Sequence, residues 1–256
     1  MSDPDPKELV RAILPPGSSD EEIDETFAIF DSTGIEVLSH EVDSRRYPRL
    51  TRGPRWDFLT AFGDPSPLDS PTAIAIVGRR DPSDEGLQFA HDLAEALGLR
   101  EIPTLSGMAR GIDQAAHQGS LSVGASTIAA IPEGLLRFLR RNKPHYPSLH
   151  AGGDSPLLAI SGVAPWERWS VGEAMRRNRW IASWCDALIV VEANPEGGTW
   201  RTAEAAAEQG KPIWVCKGFD GISEEMGNEQ LAKTYGGMEL DIRMKTEEST
   251  DLILSA

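Results

Sequence analysis

The sequence has only two cysteines among 256 residues and no long uninterrupted run of apolar side chains. Cys185 and Cys216 lie in apolar surroundings without the spacing of a metal site, which predicts two reduced, buried thiols. The lack of an apolar run of about 20 residues argues against a membrane-spanning helix. Residues 1–6 have neither the basic nor the apolar part of a signal peptide, so we expect a cytoplasmic protein.

Basic residues are in the minority, because 25 Lys and Arg face 40 Asp and Glu, for a net charge of −15. This balance argues against loose electrostatic binding to nucleic acid. The acidic excess is confined to the flanks. Residues 71–218 carry 15 basic and 16 acidic side chains, whereas residues 1–70 carry 7 and 15 and residues 219–256 carry 3 and 9. The nearly neutral centre is therefore compatible with a local anion site.

Apolar runs of strand length alternate with helical patterns between residues 71 and 218. The runs are continuous, which is typical of parallel strands covered by helices on both faces. We therefore predict an α/β fold with a doubly wound, mostly parallel sheet, an acidic helical or irregular lead-in over residues 1–70, and an acidic extension over residues 219–256. The predicted strands are 73–77, 102–105, 127–131, 157–160, 187–191 and 212–216. The predicted helices are 7–14, 20–30, 87–97, 169–184 and 199–209, with a weaker one at 228–233.

Three glycine-containing turns follow predicted strands. They begin at Gly78, at Ser106-Gly107-Met108-Ala109-Arg110-Gly111-Ile112-Asp113 and at Gly197-Gly198-Thr199. The carboxyl ends of parallel strands meet at one edge of a sheet, where the N–H groups and dipoles of the following helices favour an anion. Glycine also lets a backbone approach a phosphate closely. Together the three turns predict one composite phosphate site.

The order and spacing of these motifs resemble the DNA-processing protein A family (DprA, also called Smf), whose Rossmann-like core binds single-stranded DNA. The family segment serine-glycine-x-alanine-arginine-glycine-x-aspartate matches residues 106–113 throughout, and its alanine-histidine pair matches Ala116-His117. Its arginine-asparagine-arginine step matches Arg177-Asn178-Arg179. In the first turn Arg79 occupies a position that is usually small. The first-turn positions that do match are Val77, Gly78, Arg80 and Ser83.

The resemblance covers residues 47–231, with departures. Gly197 stands where the family usually has a serine, Pro132-Glu133 replaces a glycine-containing turn, and residues 219–256 are too few and too acidic for a winged helix. The resemblance implies a non-catalytic homodimer, without cofactor or metal, that protects single-stranded DNA and hands it to a recombinase. The departures favour a second form of this hypothesis. In it, the protein is a specialised relative that acts in anti-phage defence or toxin control and contacts a protein partner through its acidic surface.

The predicted binding residues lie in or beside the glycine turns. For Arg80, Arg110, Arg177 and Arg179 the alternative is a structural ion pair with Asp113, Glu173 or Glu192. Four such arginines together favour phosphate. Trp200 is the predicted base-stacking residue, with packing under the loop as its alternative. Asp113, His117 and Glu192 are predicted to organise the site, Glu192 by orienting the third turn. The predicted DNA- or phosphate-binding set is Gly78, Arg79, Arg80, Ser83, Ser106, Gly107, Arg110, Gly111, Arg177, Asn178, Arg179, Gly197, Gly198, Thr199, Trp200 and Thr202.

Two other functions remain as alternatives. One is a nucleotide-processing enzyme that resembles the phosphoribohydrolases releasing cytokinin bases from nucleoside monophosphates. Their loop resembles Pro195-Glu196-Gly197-Gly198-Thr199, but it has a glutamate at the position of Thr202, so the acid–base chemistry has no evident source here. The other is a sensor or antitoxin whose site holds a small nucleotide or nothing. The sequence favours binding of single-stranded DNA or a phosphate-bearing nucleotide over catalysis.

Overall fold

The computed structural model describes residues 5–150, 152–219 and 222–256. The strands are β1 (Ile35–Ser39), β2 (Phe58–Phe62), β3 (Ile74–Val77), β4 (Thr104–Ser106), β5 (Thr127–Ala130), β6 (Leu157–Ser161), β7 (Ala187–Val190), β8 (Ile213–Lys217) and β9 (Met238–Asp241). The helices are α1 (Pro6–Ile13), α2 (Asp20–Thr33), α3 (His40–Arg46), α4 (Asp84–Gly98), α5 (Ile112–Ser122), α6 (Leu135–Asn142), α7 (Val171–Trp184), α8 (Gly198–Glu208), α9 (Ile222–Tyr235) and α10 (Thr246–Leu254). Among the described residues, no helix is both long and apolar enough to cross a membrane.

All nine strands belong to one sheet, in the order β1-β2-β6-β5-β4-β3-β7-β8-β9. The strands from β3 to β9 are parallel to one another, and β1 and β2 add antiparallel at the β6 edge. From β3 the chain adds strands outward to β6, then returns to the other side of β3 with β7. Doubly wound sheets bind ligands at such a reversal, at the carboxyl ends of the strands. The predicted α/β fold is confirmed.

The flanking segments contribute strands to this sheet. The lead-in supplies β1 and β2 at one edge, and the C-terminal segment supplies β9 at the other. In β1, Ile35 and Leu38 are both buried, in apolar clusters on opposite faces of the sheet, whereas Glu36 between them is exposed. The sequences of β1 (Ile-Glu-Val-Leu-Ser) and β9 (Met-Glu-Leu-Asp) include acidic residues, so they lack the continuous apolar runs by which the central strands were predicted. The sequence therefore predicts the parallel centre of the sheet but not its edges.

Helix ends follow local capping chemistry. The predicted capping box is confirmed, since the Glu22 N–H donates to Ser19 Oγ at 3.2 Å and the Ser19 N–H donates to the Glu22 carboxylate at 2.7 Å. Helix α2 runs three residues further than predicted and ends at Gly34, whose φ of 78° suits glycine. Helix α7 begins at Val171 rather than at residue 169, because the Ser170 side chain accepts from an N–H of its first turn. Trp169 therefore lies in the preceding loop.

Apolar clusters cover both faces of the parallel strands. Val77 of β3 packs in the cluster that contains Trp180 and Trp184 of α7. Its neighbour Ile76 faces the opposite side and packs in the cluster that contains Leu93 of α4. The rings of Trp180 and Trp184 are stacked, with centroids 5.4 Å apart. The prediction that these two tryptophans belong to the core is confirmed.

The two cysteines are free and fully buried, as predicted. Burial raises the pKa of the Cys185 thiol to about 12 and raises the pKa of Cys216 as well. A thiol with so high a pKa stays protonated at neutral pH and is a poor nucleophile. Both cysteines therefore act as small apolar side chains of the core.

Asp186 joins the lead-in to the start of β7. Its carboxylate accepts from Arg49 and Arg52, both at 2.8 Å, and from the backbone N–H of Ala73 at 2.9 Å. Burial acts to raise the pKa of Asp186, but these hydrogen bonds outweigh it and hold the pKa below its ordinary value of about 3.9. The substitution Asp186→Asn is expected to lower the free energy of unfolding by about 1–3 kcal/mol at pH 7.

This difference between wild type and Asp186→Asn should shrink at acid pH. A carboxyl with a lowered folded-state pKa stabilises the fold above its unfolded-state pKa, and the stabilisation is lost as pH falls through the folded-state value. Urea unfolding at neutral pH and below pH ~3 measures the change. Glu208→Gln, an exposed substitution on α8, is the matched control. A difference that is the same at both pH values would contradict this assignment.

Candidate functional site

A cleft of about 430 Å³ opens where the strand order reverses, at the carboxyl ends of β3, β4 and β7. It brings together parts of the three glycine turns that the sequence predicts to converge. Helix α7 forms a further wall. The lining residues from the turns are Gly78, Arg79, Arg80, Ala109, Asp113, Gly197, Gly198 and Thr199. The lining residues from α7 include Met175, Arg177 and Asn178.

Asp113 links the first two turns from below. Its buried carboxylate accepts from the backbone N–H of Ala109 at 3.3 Å and from that of Gly78. The guanidinium of Arg177, also buried, lies beside it and donates to the carbonyl oxygen of Ala130 at 3.1 Å. Burial raises the pKa of Asp113 and lowers that of Arg177, and each charge partly offsets the effect on the other. The pair forms a charged floor under the turns.

The second turn requires glycine at two positions. A Cβ at Gly107 would overlap the Arg177 guanidinium. The Arg177 side chain therefore fills the space beside Gly107 that the sequence suggested for a phosphate. Gly111 has a φ of 88°, and a Cβ there would meet the carbonyl oxygen of Arg79. Met108 between them also has a positive φ, 57°, which is unusual for a residue with a side chain. The turn is closely packed on its neighbours.

Glu192 holds the first turn rather than the third. Its fully buried carboxylate accepts from the Ser83 N–H at 3.0 Å and from Ser83 Oγ at 2.5 Å, and it lies 3.5 Å from Arg79. The expectation that Glu192 orients the third turn is therefore corrected. The reason is topological, because Glu192 follows β7, and β7 lies next to β3. The third turn is held instead by Asn178 and Thr202, whose side chains donate to the Gly198 carbonyl oxygen at 3.2 and 3.1 Å.

His117 lies behind the cleft and outside its lining. Its Nδ1 is 2.7 Å from Thr127 Oγ1 in the core, and burial lowers the pKa of His117 to about 3. The imidazole is therefore neutral at physiological pH and supplies no positive charge to an anion. A different group of potential metal ligands, made of His91, Asp92 and Glu95, lies on α4, away from the cleft.

Two helices present their first turns at the second and third glycine turns. Helix α8 starts after Gly197 and helix α5 after Gly111, and neither start has a side-chain hydrogen-bond cap. The first N–H groups of a helix have no partner within the helix, and the helix dipole adds a partial positive charge there. Gly198 and Thr199 of α8 line the cleft. This end of α8 is a suitable place for a phosphate.

Arginines converge on the cleft from separate elements. Arg80 is exposed and forms no ion pair in the described part of the chain, and its charge lowers the pKa of Arg177 further. Arg110 is exposed as well; its Nε donates to the Arg80 carbonyl oxygen at 3.1 Å, and its guanidinium lies 3.5 Å from Asp81. Like charges that face the same space favour the binding of an anion between them. Arg80 and Arg110 are thus the arginines most open to a ligand.

Seven of the predicted binding residues do not line the cleft: Ser83, Ser106, Gly107, Arg110, Gly111, Arg179 and Trp200. Gly107 and Arg110 line an adjoining cavity instead. Arg179 follows Arg177 by two positions, which rotates it about 200° around α7 and away from the cleft. The indole of Trp200 donates to Tyr235 Oη at 3.1 Å, and the two rings meet edge to face. Trp200 therefore packs against α9, a partner that the sequence did not predict.

Two further cavities lie near the cleft, and lining residues are shared between neighbours. The second, of about 390 Å³, shares Arg80, Trp169 and Arg177 with the first. The third, of about 480 Å³, shares Glu133 and Arg141 with the second. Trp166, Trp169 and the arginines of α6 were not among the residues predicted for the site. The signal available was the segment Trp166-Glu167-Arg168-Trp169, which alternates aromatic and charged residues just before a helix.

Comparison with known proteins agrees with the resemblance seen in the motifs. The family model described as DNA recombination-mediator protein A matches residues 41–248. The DNA processing protein DprA of Streptococcus pneumoniae is 34% identical over 153 residues, which cover 59% of this chain and 53% of the relative. The chain thus spans about half the length of that relative.

Solved structures share the fold. That of DNA processing protein A from S. pneumoniae matches with a TM-score of 0.71 and 23% identity, over 95% of this chain and 86% of that one. DNA processing protein A from Helicobacter pylori, whose structure was described for its single-stranded DNA binding mode, matches with a TM-score of 0.69 and 24% identity, over 86% and 96%. The family expectation from the sequence is confirmed. The chain belongs to the DNA recombination-mediator protein A family, whose model matches well over half of its length.

Proposed function

We propose that this protein binds single-stranded DNA in the cleft at the reversal of the sheet, as part of DNA processing or recombination. The observation that carries the proposal is that Arg80 and the buried Arg177 line the cleft beside the uncapped start of α8, and that Arg110 joins them in the second cavity. Guanidinium groups make paired hydrogen bonds to phosphate, and a helix start adds backbone donors. The description of the H. pylori protein by its single-stranded DNA binding supports the same ligand class.

The net charge of −15 limits how the protein binds DNA. A basic protein attracts nucleic acid over its whole surface, whereas here the favourable charge is restricted to the cleft. We expect only about three phosphate contacts and hence a shallow salt dependence, with a slope of about −2 in a plot of log K against log salt. Binding is therefore local and depends on few side chains.

Binding fits the geometry better than nucleotide hydrolysis does. Asp113 and Glu192 are buried, and their carboxylates accept hydrogen bonds from the turns that they hold. A general acid or base must reach the proton that it transfers. Carboxylates committed to the backbone beneath a cleft are poorly placed for that role. Release of a free base from nucleoside monophosphates by the wild-type protein would overturn this preference.

The double substitution Arg80→Ala and Arg110→Ala is expected to weaken binding of an oligothymidine of about 20 nucleotides by about 10-fold or more, because two charge-assisted phosphate contacts are lost. The magnitude of the salt slope should fall by about 1.4, since each contact to a single strand contributes about 0.7. Fluorescence anisotropy of a labelled oligonucleotide at several salt concentrations measures both quantities.

Arg45→Ala is the matched control, because Arg45 is exposed on α3 and does not line the cleft. It should leave both the affinity and the salt slope close to those of the wild type. Equal binding by the wild type and the double variant would contradict the assignment of these arginines. Failure of the wild type to bind would contradict the proposed function.

The partners that the family resemblance implies are part of the same proposal. We propose a homodimer in solution and a protein partner for the acidic flanks, either a recombinase or, in an anti-phage or toxin-control role, a toxin. The support is the charge of residues 1–70 and 219–256, which exceeds any need of the DNA cleft. Light scattering gives the mass in solution. A monomer at working concentrations would remove the dimer from this proposal.

A further inference from the structure

The loop between β6 and α7 exposes two tryptophans within four residues. Trp166 is 36% exposed and Trp169 is 45% exposed. The other five tryptophans are buried or half-buried: Trp56, Trp180, Trp184, Trp200 and Trp214. A large aromatic surface in water is unfavourable for the free protein. Two such residues in one short loop indicate a surface that becomes covered.

The two tryptophans line neighbouring cavities. Trp169 lines both the first and the second cavity. Trp166 lines the third cavity, which shares the ion-paired residues Glu133 and Arg141 with the second. The order of the cavities places Trp169 next to the cleft and Trp166 beyond it. Flat aromatic groups spaced along an open groove suit a ligand with repeated flat groups.

The arginines near the two tryptophans favour an anionic ligand. Arg137 and Arg140 are exposed on α6, where they line the third cavity beside Trp166. Neither forms an ion pair with any described residue, although the chain has 40 acidic side chains. Arg141 beside them is paired with Glu133. Unpaired arginines next to exposed indoles match a strand of phosphates and bases better than they match an apolar protein surface.

We propose that Trp169 and Trp166 are successive base-stacking residues, which extend the path of single-stranded DNA from the cleft to α6. The inference rests on the proposed function and adds to it the base-contacting residues and the direction in which the strand leaves. The two indoles take the stacking role for which Trp200 was the sequence-based prediction. Every base has a π-face, so these platforms favour single strands without favouring a particular sequence.

The experiment separates contacts to bases from contacts to phosphates. It compares the wild type, the double variant Trp166→Ala/Trp169→Ala and the matched variant Trp166→Phe/Trp169→Phe. One probe is an oligothymidine of about 20 nucleotides, and the other is an abasic deoxyribose-phosphate chain of the same length. The alanine variant should bind oligothymidine about 10-fold to 100-fold more weakly and the abasic chain as the wild type does. The phenylalanine variant, which keeps flat rings, should bind both nearly normally.

A second measurement does not depend on the alanine variant. Stacking of bases on exposed indoles should quench tryptophan fluorescence when oligothymidine binds to the wild type, and the phenylalanine variant should lose most of this quenching while it still binds. Equal affinity of wild type and alanine variant for oligothymidine would overturn the stacking role, as would equal losses with both probes. If the wild type binds neither probe, the proposed function itself is overturned.

Discussion

Replacement of Glu192 by alanine is expected to lower the free energy of unfolding by about 3–5 kcal/mol. The carboxylate is fully buried, accepts two hydrogen bonds from Ser83 and lies 3.5 Å from Arg79. Without it, the Ser83 N–H loses its acceptor and Arg79 loses its counter-charge, while a cavity remains beside Ser83 and Gly86. Unsatisfied buried donors and unpaired charges are among the most expensive defects in a fold.

Urea unfolding of three variants tests this role. Glu192→Gln keeps the shape and one acceptor oxygen, so it should fall between the wild type and Glu192→Ala. Glu208→Ala removes an exposed glutamate from α8 and should change the stability by no more than about 0.5 kcal/mol. An unfolding midpoint for Glu192→Ala close to that of Glu208→Ala would show that the first turn does not depend on the carboxylate.

The parallel centre of the sheet was predictable because both of its faces are covered. Each central strand is then a continuous apolar run, and the helices that cover it are long enough to show their period. The edges were not predictable in the same way. Strand β9 contains Glu239 and Asp241 in place of a continuous apolar run, and helix α6 has eight residues, of which three are exposed arginines. Such elements are defined by the strands and helices that they pack against.

The site was predictable where function depends on the backbone turns and not where it depends on neighbouring elements. The first two glycine turns follow β3 and β4 directly and the third follows β7 after a short loop, so their convergence could be inferred from the chain order. The partner of Glu192 depends on β7 lying beside β3, which no local pattern reveals. Arg179 was placed in the site by its motif, but its position on α7 turns it away. The place of Trp169 in the site was not predicted, because the helical pattern assigned this residue to α7. In the structure Ser170 caps the helix, and Trp169 lies in the loop before it.

The buried pair of Asp113 and Arg177 carries the second large prediction. Asp113→Ala and Arg177→Met are each expected to cost about 3–5 kcal/mol of unfolding free energy, because each leaves an opposite buried charge without its counter-charge. The double variant removes both charges. Its loss of unfolding free energy should be smaller than the sum of the two single losses by about 1–3 kcal/mol. The reason is that the double variant leaves neither charge buried without a counter-charge. Urea unfolding of the four proteins gives the cycle.

The same four proteins separate the structural role of Arg177 from its role toward DNA. Arg177 lines both the first and the second cavity, and a methionine there gives the floor no positive charge. The double variant should therefore be more stable than additivity allows and yet bind oligothymidine about 10-fold more weakly than the wild type. Additive losses of stability would contradict the coupling of the pair. Full binding by the double variant would contradict a contribution of Arg177 to the anion site, and would leave Arg80 and Arg110 as the arginines that hold the phosphates.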